Sequence, residues 1–136
     1  MKRFGVATAA VVLALVLVSC ASAPSRSGSS MAYTGYLMDK ACGTGGKGMD
    51  GSDVVNSPQD HTKECLVACE ASGFGIAMKD GNAYRFVAFD KAGSDLAQKT
   101  ILDMTTKEKG IGIEVEGTMR DGMIVVTAIR EAAQKM

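Results

Sequence analysis

The chain has no tryptophan, and three tyrosines with four phenylalanines leave it poor in aromatics. It has two prolines and one histidine, and its 15 Lys and Arg balance 15 Asp and Glu without forming a basic cluster. A nucleic-acid surface needs a positive footprint and stacking rings, so no nucleic-acid partner is expected. The glycines of Cys42–Gly51 lack the Gly-x4-Gly-Lys-Ser/Thr spacing of a phosphate loop. Asp50, Asp53 and Asp60 lack the spacing of a calcium loop. Cys65-Leu-Val-Ala-Cys69 has three residues between its thiols, so it is neither a thioredoxin-type nor a haem-attachment motif. One thin thiol–imidazole pair is all that is available for nucleophilic chemistry, and no enzymatic activity is expected.

Long hydrophobic runs are also missing, apart from one. Lys2 and Arg3 precede an uncharged apolar run, Phe4 to Val18, which ends in Leu17-Val18-Ser19-Cys20. The run is short for a bilayer span, which needs roughly 20 residues. Basic start, apolar middle and a small residue before a cysteine form a lipoprotein export signal. Residues 1–19 are therefore expected to be cleaved, leaving Cys20 as an acylated first residue anchored to a membrane. The expected location is the cell envelope outside the cytoplasm, and Ala21 fits passage to an outer membrane, on its periplasmic side. Residues 20–31 are small and polar, rich in serine around Pro24, and read as a flexible tether. Residues 32–136 suffice for one modest domain.

Within that domain, Tyr33–Asp39 reads as a strand and the glycine-rich stretch from Cys42 to Asn56 as a long loop. Ser57-Pro58-Gln59-Asp60 is a helix start with a capping serine, and Gly73 is a natural stop. Phe74–Met78 and Ala83–Phe89, joined through Asp80-Gly81-Asn82, predict a hairpin. A second helix is expected from Ser94 to about Lys107, with Ala97, Ile101 and Met104 as its apolar stripe. Ile111, Ile113, Val115, Gly117 and Met119 alternate with polar neighbours before the Asp121-Gly122 turn, predicting the last hairpin. The result is a mainly β domain with two helices, arranged as an OB-like five-stranded barrel or, alternatively, an open α+β sheet.

With Cys20 assigned to lipid, Cys42, Cys65 and Cys69 remain, together with the lone His61. An odd thiol count in an oxidising compartment calls for an account. In one reading Cys42 bridges Cys65 or Cys69 as a disulfide staple, contributing on the order of 3 kcal/mol. In the other, Cys42, His61, Cys65 and Cys69 hold zinc or copper. On one continuous helix His61 and Cys69 would lie about 12 Å apart, so a full four-ligand set requires that helix to end or bend.

Gly35-Tyr36-Leu37-Met38-Asp39, Ala41-Cys42-Gly43, His61-Thr62-x-x-Cys65-x3-Cys69, Ser72-Gly73-Phe74-Gly75-Ile76 and Glu116-Gly117-Thr118 carry a resemblance. Together they resemble an uncharacterised group of small exported bacterial proteins and lipoproteins. The resemblance runs from about Thr34 onward. It implies export and a barrel-like fold, and it assigns no catalytic residue. The expected function is a membrane-anchored, non-enzymatic binding or structural module of the cell envelope. Its Cys/His region is either disulfide-stapled or, alternatively, a soft-metal or thiol-redox site.

Overall fold

A computed structural model describes residues 29–133. The expected signal peptide, the lipidation site Cys20 and most of the tether lie outside the described residues. Five strands form one antiparallel sheet: β1 (Met31–Asp39), β2 (Phe74–Asp80), β3 (Ala83–Ala88), β4 (Gly112–Arg120) and β5 (Met123–Glu131). Their order across the sheet is β3-β2-β1-β4-β5. Among the described residues three short α-helices accompany them: α1 (Lys40–Gly45), α2 (Lys63–Ala68) and α3 (Lys91–Ala97).

The central strand β1 pairs with β4 from Met31 to Tyr36 and with β2 from Tyr36 to Asp39. The handover occurs at Gly35 and Tyr36, where a Cβ on Gly35 would meet the carbonyl oxygen of Ala77 at 2.3 Å. Both hairpin turns follow the sequence signals. Gly81 has φ 62° in the first, and Asp121 and Gly122 have φ 51° and 76° in the second, the two-positive pattern that matches strand twist. The hydrogen-bonded ladder does not close, and the open-sheet expectation describes it. Its outer strands approach at a single parallel bridge, Phe89 to Ile124.

Alternation along β1 separates two apolar clusters. Leu37 joins the main core with Leu66, Phe74, Ile76, Val87, Ile101, Ile113, Val115 and Ile124. Met38 joins a smaller cluster with Cys42, Val54, Cys65 and Ala77, against which Cys69 and Phe86 pack.

Both expected helices are cut differently. The segment from Ser57 to Gly73 is not one helix: a 3-10 turn at Pro58–Asp60 gives way to extended backbone at His61 and Thr62 before α2 begins. The cause is tertiary. Thr62 bridges Lys109, the amide of Lys63 donates to the Glu108 carbonyl, and the amide of Gly110 donates to the His61 carbonyl. Gly110 permits this approach, since its φ is 59° and a Cβ would lie 2.6 Å from the Gln59 oxygen. Helix α3 likewise starts earlier than Ser94. Asp90 caps it by accepting from the Gly93 amide, while the Ser94 hydroxyl accepts from the amide of Phe74. A π-type turn over Gln98–Leu102 ends the helical run, so Ala97 and Ile101 are buried but Met104 is exposed. The stretch expected to be a loop from Cys42 onward contains most of α1.

Candidate metal centre

The site forms where β1 runs into α1. Asp39 ends the strand and caps the helix, its Oδ1 accepting from the Cys42 amide at 2.8 Å. An unpaired amide in the first helical turn is satisfied this way, which fixes the orientation of the next two residues and of the Cys42 side chain. The same device recurs across the site. Thr62 caps α2 through its hydroxyl, which accepts from the Cys65 amide at 3.2 Å. Cys42 and Cys65 therefore each sit in the first turn of a short capped helix, Cys42 in a stretch expected to be a loop and Cys65 in one expected to be mid-helix, while Cys69 ends α2.

These caps bring the thiols face to face, with Cys42 Sγ and Cys65 Sγ 3.5 Å apart. Beside them His61 Nε2 lies 2.9 Å from Asp39 Oδ2. One ligand atom from each of Asp39, Cys42, His61 and Cys65 falls within 4.8 Å of all the others, and all four residues are buried. Tetrahedral zinc with Zn–S of about 2.3 Å holds two sulfurs roughly 3.8 Å apart, close to the observed separation. A disulfide would draw the same atoms to about 2.05 Å. Cys42, Cys65 and Cys69 are free thiols here.

Burial and bonding decide the charge states. Burial pushes the Asp39 carboxyl upward, but hydrogen bonds from His61 and from Cys42 outweigh it and hold the group below its ordinary value. Asp39 is thus an anion with both oxygens engaged. Burial, the neighbouring Cys65 and the Asp39 charge all push the Cys42 thiol up, so the metal-free site keeps that proton. Cys69 is raised as well, by burial first and then by Asp39. With Asp39 holding Nε2, the other ring nitrogen of His61, Nδ1, is buried and has no hydrogen-bond partner. An imidazole that donates from one nitrogen to a carboxylate keeps a bare lone pair on the other, which is how metal-ligating histidines are usually oriented.

Above the site, the segment from Gly48 to Val54 folds over His61 and Cys65, and a cleft of about 380 Å³ lies between them. Asp50 holds the segment's turn by accepting from the Ser52 amide and hydroxyl, while buried Val54 pins it to the smaller cluster. Asp50, Asp60 and Glu64 line the cleft with Met49. A larger cleft of about 600 Å³ lies elsewhere, between α1 and α3. There Lys91 pairs with Asp95 and Gln98 bonds Glu70, so those polar groups satisfy one another.

The sequence reading named Cys42, His61, Cys65 and Cys69. The structure brings the first three together and leaves Cys69 beside them, partly buried and outside the tight group. The member missed was Asp39, read only as the end of a strand. Its signal was present: an aspartate immediately before Lys-Ala-Cys, where a helix cap can stand. No protein-family model, curated protein or solved structure matches the chain.

Proposed function

We propose that this is a lipid-anchored envelope protein whose domain is a metal-binding module, holding one zinc-class ion through Cys42, Cys65 and His61. The observation that carries this reading is the buried group of Asp39, Cys42, His61 and Cys65, whose ligand atoms lie within 4.8 Å of one another, together with a His61 Nδ1 that has no hydrogen-bond partner. An unsatisfied buried nitrogen is destabilising unless something occupies it. Two thiolates with an imidazole are a borderline-soft set that suits Zn²⁺, and the Asp39 carboxylate makes the imidazole a better donor. These residues would bind and orient the ion, and its binding energy would add to folding. The order β3-β2-β1-β4-β5 and the Phe89–Ile124 bridge are consistent with an OB-like barrel.

Native mass spectrometry of the reduced domain with added Zn²⁺ tests the reading. One ion per chain is expected, lost on His61→Ala and on Cys65→Ser, with chelator lowering the melting temperature of the loaded form. Unchanged mass and melting temperature in zinc would overturn it. The anchor is tested separately in cells. Cys20→Ser should move the protein from the detergent phase to the aqueous phase, and unchanged partitioning would remove the lipid from this proposal.

A further inference from the structure

Resting on that reading, we propose that the centre is redox-gated: external disulfides convert Cys42 and Cys65 into an intramolecular disulfide that can no longer hold the ion. The two sulfurs already touch at 3.5 Å, and no other described residue stands between them in the tight group. They are separated by 23 positions in the chain, so the bond would tie the end of β1 to the start of α2. A metal pair and a disulfide compete for the same lone pairs, and the site has no spare thiol within the group to serve both states.

The geometry also orders the steps. Cys65 lines the cleft beneath the 48–54 segment, whereas Cys42 does not. Both thiols are buried, so the cleft is the route by which the incoming disulfide, RSSR, would reach Cys65 first. The Cys65 thiolate attacks one sulfur, forming the Cys65–SR mixed disulfide and expelling RS⁻, which takes up a proton as RSH. Cys42 then attacks the Cys65 sulfur, breaking the mixed bond and releasing the second RSH. The balance is two protein thiols plus RSSR giving one protein disulfide plus two RSH, with the oxidant reduced by two electrons. With an ion bound, both sulfurs would be thiolates, and the same exchange would give the protein disulfide and two RS⁻ and leave the ion without those two donors. Cys69 packs against the pair and is the more exposed thiol, but it lies outside the tight group and takes no part in the proposed bond.

The test is incubation of the reduced protein, with and without Zn²⁺, in oxidised glutathione, followed by native mass spectrometry and peptide mapping after blocking free thiols. A Cys42–Cys65 crosslink is expected, with Cys69 still available to the blocking reagent and no zinc retained in the crosslinked fraction. Zinc present beforehand should slow crosslinking at least tenfold. In Cys42→Ser the reaction should stop with one glutathionyl group on Cys65, and Cys69→Ser should crosslink as wild type does. A crosslink through Cys69, a first adduct on Cys42, or zinc retained by the Cys42–Cys65 crosslinked form would each overturn the gate. Failure of the reduced protein to take up zinc overturns the metal reading instead, whatever the crosslink map.

Discussion

At the scale of single residues, Asp39 does the most. It is fully buried, it caps α1, and it fixes the tautomer of His61. Asp39→Ala leaves a buried amide and a buried imidazole nitrogen unpaired, and should destabilise the metal-free domain by about 3 kcal/mol in denaturant titrations. The pH dependence has a definite sign. Because the folded carboxyl lies below its ordinary value of 3.8, its contribution is present above about pH 4 and is lost as pH falls further. Acid titration of the wild type should show a stability loss below pH 4 that Asp39→Asn largely abolishes. Cys42 behaves oppositely. Its raised thiol favours the protonated folded state, so its contribution holds below the ordinary value of 9.0 and fades as pH rises above it. Cys42→Ser should flatten the alkaline limb of that same stability profile.

At the scale of elements, side-chain caps settle where the helices begin. Thr62→Val keeps the shape of the side chain but removes the acceptor for the Cys65 amide, and should cost about 1 kcal/mol. It should also weaken zinc binding, since Cys65 loses its orientation. Asp90 caps α3 and reaches across to the Val126 amide, joining the segment after β3 to β5. Asp90→Ala should cost about 1–2 kcal/mol and speed hydrogen exchange at Val126 more than at Val115. Equal acceleration at both amides would mean that Asp90 supports the whole sheet and not this seam. The element errors in the sequence reading have one cause. Ser57-Pro58 and Ser94 are valid local start signals, yet the pairing of His61–Lys63 with Glu108–Gly110 and the Asp90 contacts decide the true boundaries.

At the scale of the molecule, the sheet provides most of the core. Val115 is buried between β1 and β5, while its neighbour Glu114 points outward and pairs with Arg130. Val115→Asp should leave the domain unfolded by circular dichroism, because an unpaired carboxylate would enter the main core. Glu114→Lys should retain the native spectrum and lose less than about 1 kcal/mol, the value of an exposed pair. A folded Val115→Asp domain would contradict the placement of the core.

Local pattern was enough for the strands and their turns. Strict alternation from Ile111 to Gly117 can bury only one face, and Asp121-Gly122 accepts the positive φ that a tight hairpin demands. Residue chemistry likewise singled out Cys42, His61, Cys65 and Cys69 as candidate donors, with a disulfide staple as the other reading, because thiols and imidazole are rare here. Only the tertiary structure decided that the first three meet, that Cys69 stands aside and that Asp39 belongs with them. The physical reason is that His61 reaches the thiols through extended backbone, not along a helix. That backbone is held by hydrogen bonds to residues more than 40 positions away, which no local pattern encodes.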